Sequence, residues 1–236
     1  MGQKVSPTGF RLGVTEDWRS RWYSDKDYAK NLENDLAIRS YLDKQLAHAA
    51  VSRVEIERAG DKIKVIITTS RHGVVIGKKG AEVDALRKKL NQIANGPVSV
   101  EVVEVKRPEL DASLIAQSVA EQLENRVAFR RAMRKAVQSA RKSGAKGIRI
   151  QCAGRLGGAE MSRREWYREG RVPLHTLRAK IDYGFATAAT TMGSIGIQVW
   201  VYHGEVLPGQ KAPQPALEGS SRPNRSRRRN NDRGDK

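Results

Sequence analysis

Cysteine and histidine are scarce in this 236-residue chain, which has one cysteine and four histidines. A lone cysteine cannot form an internal disulfide, and scattered histidines do not give the paired spacing of a zinc site, so we expect neither a metal nor another cofactor. Cys152 follows the apolar run 148–150, and we interpret it as a small core residue rather than a reactive thiol. The histidines are His48, His72, His175 and His203.

Long apolar runs are absent as well. No stretch approaches the roughly 18 apolar residues that cross a bilayer, and Met1 is not followed by the apolar core of a signal peptide. We therefore expect a soluble, cytoplasmic protein without a membrane partner. The apolar content of 39% still suffices for a buried core in one or two domains.

Acidic residues are too few to balance the basic ones. Against 44 lysines and arginines there are 26 aspartates and glutamates, which leaves a formal net charge of +18. Such an excess repels itself in a compact fold unless a polyanion neutralises it. Since no membrane partner is expected, the charge favours nucleic acid as the partner.

The first 107 residues divide into a basic arm and a compact domain. Residues 1–27 contain glycine, tryptophan and arginine without helical or strand periodicity, which predicts an extended arm that orders on RNA. Residues 28–107 predict the order helix, strand, strand, short helical turn, helix, strand, and the last helix should begin at Gly80. Apolar residues of the first helical pattern recur at helical intervals and should face a sheet: Tyr28, Leu32, Leu36, Leu42, Leu46 and Ala49.

Residues 108–207 predict a second α+β domain, separated from the first by the break at 106–108. Two helical patterns occupy 111–143, and strand-like runs occur at 148–152, 172–174 and 195–202. The segment 177–189 fits either a helix or a strand. Residues 208–236 are of low complexity, with eight lysines and arginines against three acidic residues from 209 onward, which predicts a disordered basic tail.

The clearest candidate site is the loop Gly77-Lys78-Lys79-Gly80. Glycines allow the backbone to approach a phosphate closely, the lysines add charge, and the next helix would direct its free N–H groups at the same anion. Four such residues alone would also fit a plain connection between helices. The element order favours a KH domain, in which a GXXG loop clamps single-stranded RNA. A Walker loop is disfavoured because Lys79 stands where serine or threonine should follow Gly-Lys.

A second candidate site lies on the predicted helix around residue 130. The stretch 106–149 has 11 lysines and arginines against four acidic residues, so Arg130, Arg131 and Arg134 are expected to contact nucleic acid rather than only solvent. Further along, three glycines around Arg155 indicate a turn, a second phosphate-binding loop, or both. The arginines expected to contact phosphates in this region are Arg155, Arg163, Arg164, Arg168, Arg171 and Arg178.

The aromatic and acidic neighbours of these arginines are interpreted as supporting residues. Trp166 and Tyr167 are able to stack on bases, but aromatic residues beside alternating charges are more often packing residues. Glu160, Glu165 and Glu169 stand among arginines without metal ligands nearby, so we interpret them as orienting those arginines. No residue is assigned a catalytic role.

Five segments of the sequence resemble the bacterial ribosomal protein S three family, the third protein of the small ribosomal subunit. The resemblance extends from residue 1 to about residue 207, and several segments are too long for chance. The segments are MGQKVSPTGFRLG at 1–13, VIGKKG at 75–80, FRRAM at 129–133, GRLGGAE at 154–160 and EWYREGRVPLHTLR at 165–178.

The resemblance implies an N-terminal type II KH domain and a C-terminal α+β domain, seated on small-subunit (16S) rRNA in the head of the subunit. It implies the tenth and fourteenth small-subunit proteins as neighbours, the fourth and fifth where mRNA enters, and mRNA itself as a partner. In the family a basic patch helps to part mRNA duplexes, and it maps onto Arg130, Arg131 and Arg134. Arginine stands at 134 where the bacterial pattern has lysine, and Lys135 is the reverse, so charge is kept while the donor geometry differs.

Two other functions fit parts of the sequence. Lysines in a phosphate-binding loop would suit an enzyme that cleaves nucleic acid, such as a nuclease or a lyase acting through Lys78 or Lys79. A free KH protein of RNA processing is the other alternative, although no GTPase or S1-like module accompanies the KH pattern. The resemblance favours a structural, ribosome-bound protein over both.

Overall fold

The chain is described by a computed structural model that covers residues 4–60, 62–94 and 96–207. Within these ranges it forms two four-stranded sheets, each packed against helices. The tail predicted for 208–236 lies outside the described residues. Nowhere in the described ranges is a helix both long enough and apolar enough to cross a bilayer.

The first sheet belongs to a domain with the predicted order of elements. Strands β2 (Val51–Ala59) and β3 (Lys62–Thr69) pair antiparallel, and β3 pairs in parallel with β4 (Val98–Glu104). Helix α4 begins at Ala81 rather than at the predicted Gly80. The elements of this half are α1 (Pro7–Arg11), β1 (Ser20–Arg21), α2 (Tyr28–Gln45), β2 (Val51–Ala59), β3 (Lys62–Thr69), α3 (His72–Ile76), α4 (Ala81–Ala94) and β4 (Val98–Glu104).

The apolar face predicted from Tyr28 to Ala49 is buried only in its second half, at Leu42, Leu46 and Ala49. The inward positions of α2 are Asp35, Ile38 and Leu42, which follow a helical interval of three and four residues. Leu32 is 41% exposed and Leu36 is 57% exposed, so the first half of the predicted apolar face is wrong. The first of the buried positions of α2 is the carboxylate Asp35, which a search for apolar periodicity does not detect.

The N-terminal segment is folded, which contradicts the predicted extended arm. The Ser6 hydroxyl caps α1 by accepting a hydrogen bond from the N–H of Gly9 at 3.5 Å, and β1 pairs in parallel with β2. The buried carboxylate of Asp35 accepts hydrogen bonds from the Trp22 indole at 2.8 Å and the Ser20 hydroxyl at 3.1 Å. Elements of five and two residues are too short to show periodicity, so the sequence pattern did not reveal them.

The second sheet has the strand order β6-β5-β8-β7, and all of its pairs are antiparallel. Helices α5 and α6 cover one face, where Met133 of α6 packs with Ile150 of β5 and Ile197 of β8 in the core. The elements of this half are α5 (Ala112–Glu124), α6 (Phe129–Lys142), β5 (Gly147–Gly154), β6 (Arg163–Gly170), β7 (Ala179–Thr190) and β8 (Gly193–Glu205).

The strands of this domain confirm some sequence predictions and correct others. The runs at 148–152 and 195–202 lie in β5 and β8, and the ambiguous segment 177–189 lies mostly in β7. The run 172–174 is not a strand, whereas β6 was not predicted. β6 escaped notice because it carries charged residues on both faces, which hides the alternation that marks a half-buried strand.

Arg11 ties α1 to the C-terminal domain. Its side chain is fully buried, and burial lowers the pKa of its guanidinium, although Glu16 opposes that shift. It donates hydrogen bonds to five main-chain oxygens: those of Pro7 at 3.1 Å, Pro173 at 3.4 Å, Leu174 at 3.0 Å, Thr176 at 2.9 Å and Ala179 at 2.6 Å.

Polar contacts also join the two domains directly. The Ser52 hydroxyl of β2 bonds to the carboxylate of Asp111, which caps α5 by accepting the N–H of Leu114 at 3.1 Å. The Gln117 amide donates to the carbonyl of Val51 at 2.8 Å. These contacts lie beside the predicted break at 106–108, while the domain boundary at 107/108 itself stays a prediction.

Candidate nucleic-acid interface

Two glycines shape the loop between α3 and α4. Gly77 has φ 69° and ψ −175°, a backbone conformation open almost only to glycine. A Cβ added there would lie 2.8 Å from the Cβ of Glu82, which is closer than side-chain carbons approach. Gly80 has φ 82° with open space around it, so only its backbone angle requires glycine. The loop therefore depends more strictly on Gly77 than on Gly80.

The charge of this loop comes from lysines placed beside acidic residues. Lys78 is exposed, and the backbone of 78–80 forms a 3-10 turn that leads into α4. The side chain of Lys79 lies outside the described residues. The first turn of α4 carries Glu82 and Asp84, which oppose an anion at that helix end. The prediction from the sequence did not take these two carboxylates into account. Because they weaken the positive end of the helix dipole, the lysines contribute more than the dipole to the attraction of an anion.

Helix α6 presents the second candidate site on its outer face. Ala132, Met133, Val137 and Ala140 point inward, so Arg130, Arg131 and Arg134 are exposed. The inward residues recur at three and four positions and fix which side faces the solvent. The arginine cluster predicted from composition is therefore present on one helix face.

Acidic and aromatic side chains hold several arginines of α6 and β6 in place. Nε of Arg130 lies 3.6 Å from Oε2 of Glu165, and Nε of Arg163 lies 3.1 Å from Oε1 of the same carboxylate. The guanidinium of Arg134 lies 5.7 Å from the centre of the Tyr167 ring, within reach of a cation–π contact. Helix α6 and this face of β6 thus form one basic surface, which we call the α6 surface and define as Arg130, Arg131, Arg134 and Arg163.

The interpretation of the acidic residues is confirmed for Glu165, whereas Glu169 contacts Arg141 of α6 rather than an arginine beside it in the sequence. Glu165 bridges two arginines as described, and Oε1 of Glu169 lies 3.3 Å from Nε of Arg141. Tyr167 packs against the core, as expected for a packing residue. Trp166, by contrast, is 54% exposed on the opposite face of the same strand.

The remaining arginines predicted to contact phosphates do not join the α6 surface. Arg164 and Arg168 lie with Trp166 on the other face of β6, because strand side chains alternate. Arg155 donates to the carbonyls of Ala159 at 3.0 Å and Met192 at 2.9 Å, so it shapes its own loop.

Two more members of the predicted set lie near strand ends. Nε of Arg178 lies 2.7 Å from Oε2 of Glu205, and both side chains are partly exposed. Arg171 is exposed where β6 ends. Both remain accessible to a polyanion, and their contact with RNA stays a prediction.

Cys152 is a core residue, as the sequence predicts. It is fully buried, and burial together with the nearby Glu165 carboxylate raises the pKa of its thiol to about 12. The sequence did not single out Arg11 or Arg149 for any role. Arg149 had a signal, since it is the charged position in a strand whose other residues are uncharged.

Two family models match the chain. A model described as KH domain matches residues 37–110, and one described as Ribosomal protein S3, C-terminal domain, matches residues 119–201. These ranges contain the glycine loop and the α6 surface respectively.

Curated relatives match nearly the whole described chain. Small ribosomal subunit protein uS3 of Geobacter sulfurreducens is 62% identical over 211 residues, which is 89% of this chain and 100% of the relative. The protein of the same name from Syntrophus aciditrophicus is 59% identical over 211 residues, 89% of this chain and 98% of the relative. The protein of that name from Geotalea uraniireducens is 62% identical over 210 residues, with 89% and 100% covered.

Proposed function

The chain belongs to the uS3 family of small ribosomal subunit proteins, and from that premise we propose that it binds head rRNA and helps to part mRNA duplexes where mRNA enters the subunit. In this role it is ribosome-bound in the cytoplasm. Its protein neighbours are the tenth and fourteenth small-subunit proteins in the head and the fourth and fifth at the mRNA entrance. Membranes and cofactors have no part in the proposal.

The observation that carries this proposal is the construction of the α6 surface. Three arginines project from one helix face, and Glu165 and Tyr167 restrain two of them from the neighbouring strand. Restrained guanidinium groups lose less side-chain entropy when they bind phosphates, and they offer several donors in a fixed plane. Such a surface favours the separated strands of an opening duplex by holding their backbones without reading their sequence.

The glycine loop takes a separate part in the proposal. Lys78 is exposed on the KH domain, whereas most arginines that can hold rRNA lie on the C-terminal domain. We infer that the C-terminal domain anchors the chain on rRNA and that the loop contacts incoming mRNA. No residue is proposed to be catalytic, because the curated relatives described above are named as ribosomal proteins.

Translation of structured messages tests the role of the α6 surface. Small subunits are assembled with the variant Arg130→Gln, Arg131→Gln, Arg134→Gln, and elongation is timed through a stable hairpin and through an unstructured message of equal length. We expect the variant to assemble normally and to slow only on the hairpin, because fewer cations hold the opened strands.

A variant with the same loss of charge elsewhere provides the control. Lys26→Gln, Lys30→Gln, Lys44→Gln removes three exposed charges on or beside α2 and should translate both messages at the wild-type rate. If the arginine variant slowed both messages equally, or neither, the proposed role in unwinding would be wrong.

A further inference from the structure

The C-terminal sheet has a second face, opposite α5 and α6, and part of it is uncovered. Strand alternation and the pairings Gln151↔Trp166, Gln151↔Gln198 and Phe185↔Gln198 place side chains of all four strands on it. The members of this face are Arg164, Trp166 and Arg168 of β6, Arg149, Gln151 and Ala153 of β5, Gly196, Gln198 and Trp200 of β8, and Tyr183, Phe185 and Thr187 of β7.

One end of this face is covered by the chain itself. Val172 and Leu174 pack on a cluster that contains Trp200, Tyr202 and Ile181. Arg11 fixes that covering segment by its hydrogen bonds to the carbonyls of 173, 174 and 176. The segment 172–176 is therefore held in place by the fold, and it does not extend to the end of the face that carries Trp166 and Phe185.

At the uncovered end, the Trp166 and Phe185 rings lie on the two outer strands, and smaller residues occupy the two strands between them. Trp166 is 54% exposed and Phe185 is 59% exposed, and the two strands between them put their backbones about 14 Å apart. Between the rings lie the Gln151 and Gln198 amides, 2.9 Å apart, and next to them the small residues Ala153 and Gly196. The Arg149 guanidinium lies beside Trp166 and the Phe185 ring lies next to Gly196, so each ring offers its exposed part to a large flat group.

The charge on this face is of one sign. Arg164 and Arg168 are exposed at its edge, and none of the twelve residues that define the face is acidic. The guanidinium of Arg149 lies 5.5 Å from the Trp166 ring centre and 4.9 Å from that of Trp200. Burial, followed by the charges of Arg168 and Arg164, lowers the pKa of Arg149. A bound polyanion would relieve this repulsion.

We propose that this open sheet face binds single-stranded RNA, with bases stacked on Trp166 and Phe185 and phosphates paired with Arg164 and Arg168. Exposed aromatic rings beside exposed cations are the elements with which proteins hold single strands. Aromatic residues and arginine are also enriched in protein interfaces, so a protein partner is the competing outcome of the test below. The exclusively positive charge of the twelve residues on this face favours a polyanion. The site is distinct from the α6 surface, which lies on the opposite side of β6.

Binding of a fluorescent 12-nucleotide single-stranded RNA to the full chain tests this site. We expect Trp166→Ala, Phe185→Ala to weaken binding roughly tenfold, as loss of stacking does elsewhere. Tyr23→Ala, Leu36→Ala removes two exposed apolar side chains from another region and should change affinity less than twofold. Trp166→Leu, Phe185→Leu keeps apolar bulk without aromatic faces and should behave like the alanine variant, while Trp166→Phe should retain most of the affinity.

A strand of the same length without bases separates stacking from charge. Binding of that strand should not respond to Trp166→Ala, Phe185→Ala, but it should weaken with Arg164→Gln, Arg168→Gln. The triple arginine variant of α6 should keep the dependence on Trp166, so the two sites fail independently. If folded alanine and leucine variants bound the RNA as tightly as the wild type, the proposal would be wrong. The proposal would also be wrong if the alanine and leucine variants bound the RNA normally but were no longer taken up into small subunits, because that result would indicate a protein partner.

Discussion

The glycine loop of the KH domain and the α6 surface of the C-terminal domain are both proposed to bind RNA, but they are built differently. The loop is made of backbone: its shape depends on Gly77 at φ 69°, and its described surroundings include the acidic Glu82 and Asp84. The α6 surface is made of side chains, whose guanidinium groups rest against Glu165 and Tyr167. The glycine loop is the easier of the two to recognise in the sequence, but it concentrates less positive charge than the α6 surface does.

This difference predicts how each region responds to change. A backbone site should fail when its dihedral angles are disturbed and should be less sensitive to salt. A side-chain site should tolerate changes of shape and should lose affinity in proportion to the cations removed. Shape and charge can therefore be tested separately on one chain.

The largest expected effect is the loss of stability on replacing Arg11, compared with replacing Arg131 of the α6 surface. Arg11→Met would remove the guanidinium donor from the carbonyls of 173, 174, 176 and 179, two of which also accept a main-chain N–H. We expect the free energy of unfolding of the C-terminal domain to fall by at least about 3 kcal/mol. Urea denaturation measures this. Arg131→Met, at an exposed position, should change stability by no more than about 0.5 kcal/mol. Equal midpoints for the two variants would contradict the structural role of Arg11.

A pair of glycine variants tests whether the loop is a backbone site. Gly77→Ala should destabilise the KH domain by about 1–3 kcal/mol and abolish RNA binding by the loop, because alanine strains the backbone and meets Glu82. Gly73→Ala lies in α3 with open space around it and should stabilise the helix by up to about 1 kcal/mol. Denaturation and RNA binding of both variants give the comparison, and similar losses in both would show that Gly77 has no special role.

The salt dependence of RNA binding distinguishes the two regions further. Replacing Arg130, Arg131 and Arg134 by glutamine should lower the slope of log affinity against log salt by about two, since each lost contact with a single strand removes about 0.7. Gly77→Ala should weaken binding while leaving that slope nearly unchanged. Titrations between low and moderate salt measure the slopes. A steep change for Gly77→Ala would mean that the loop, too, acts mainly through charge.

The effect that is smallest at neutral pH concerns Cys152, in the core beneath β6. Between the ordinary pKa of 9.0 and about 12, the folded chain keeps a thiol proton on Cys152 that the unfolded chain loses. The free energy of unfolding should therefore fall as pH rises through that interval, and Cys152→Ala should remove this component. In the native chain at pH 8 the thiol should not react with a thiol reagent, whereas in urea it should. Rapid native labelling would show that this support is loosely packed.

The sequence predicted the KH domain well, because its apolar alternation, turn at Gly60 and glycine loop are local signals. It predicted α6 and its arginines for the same reason. It did not predict the position of Arg11, because four of its five hydrogen-bond partners lie more than 160 residues away along the chain. The first half of the predicted inward face of α2 was wrong, because the polar residue Asp35 is buried there by hydrogen bonds to Ser20 and Trp22.

Strand β6 shows why the candidate site was only partly predicted. Its arginines were all identified, but no strand was predicted there, so the arginines could not be assigned to two faces. Once β6 pairs with β5, alternation sends Arg163 toward α6 and Arg164 toward Trp166. The division of one basic segment into two surfaces is a property of the sheet rather than of the segment.

Uptake and mRNA binding of one variant test the division of labour between the two domains most directly. Small subunits are assembled with Lys78→Asp, Lys79→Asp, washed at high salt, and assayed for content of the chain and for affinity toward an unstructured mRNA. Lys88→Asp, Lys89→Asp, which reverses two exposed charges on α4, serves as the control. We expect both variants to be retained at the wild-type level and only the loop variant to bind mRNA more weakly. Failure of the loop variant to enter subunits would contradict the assignment of rRNA anchoring to the C-terminal domain.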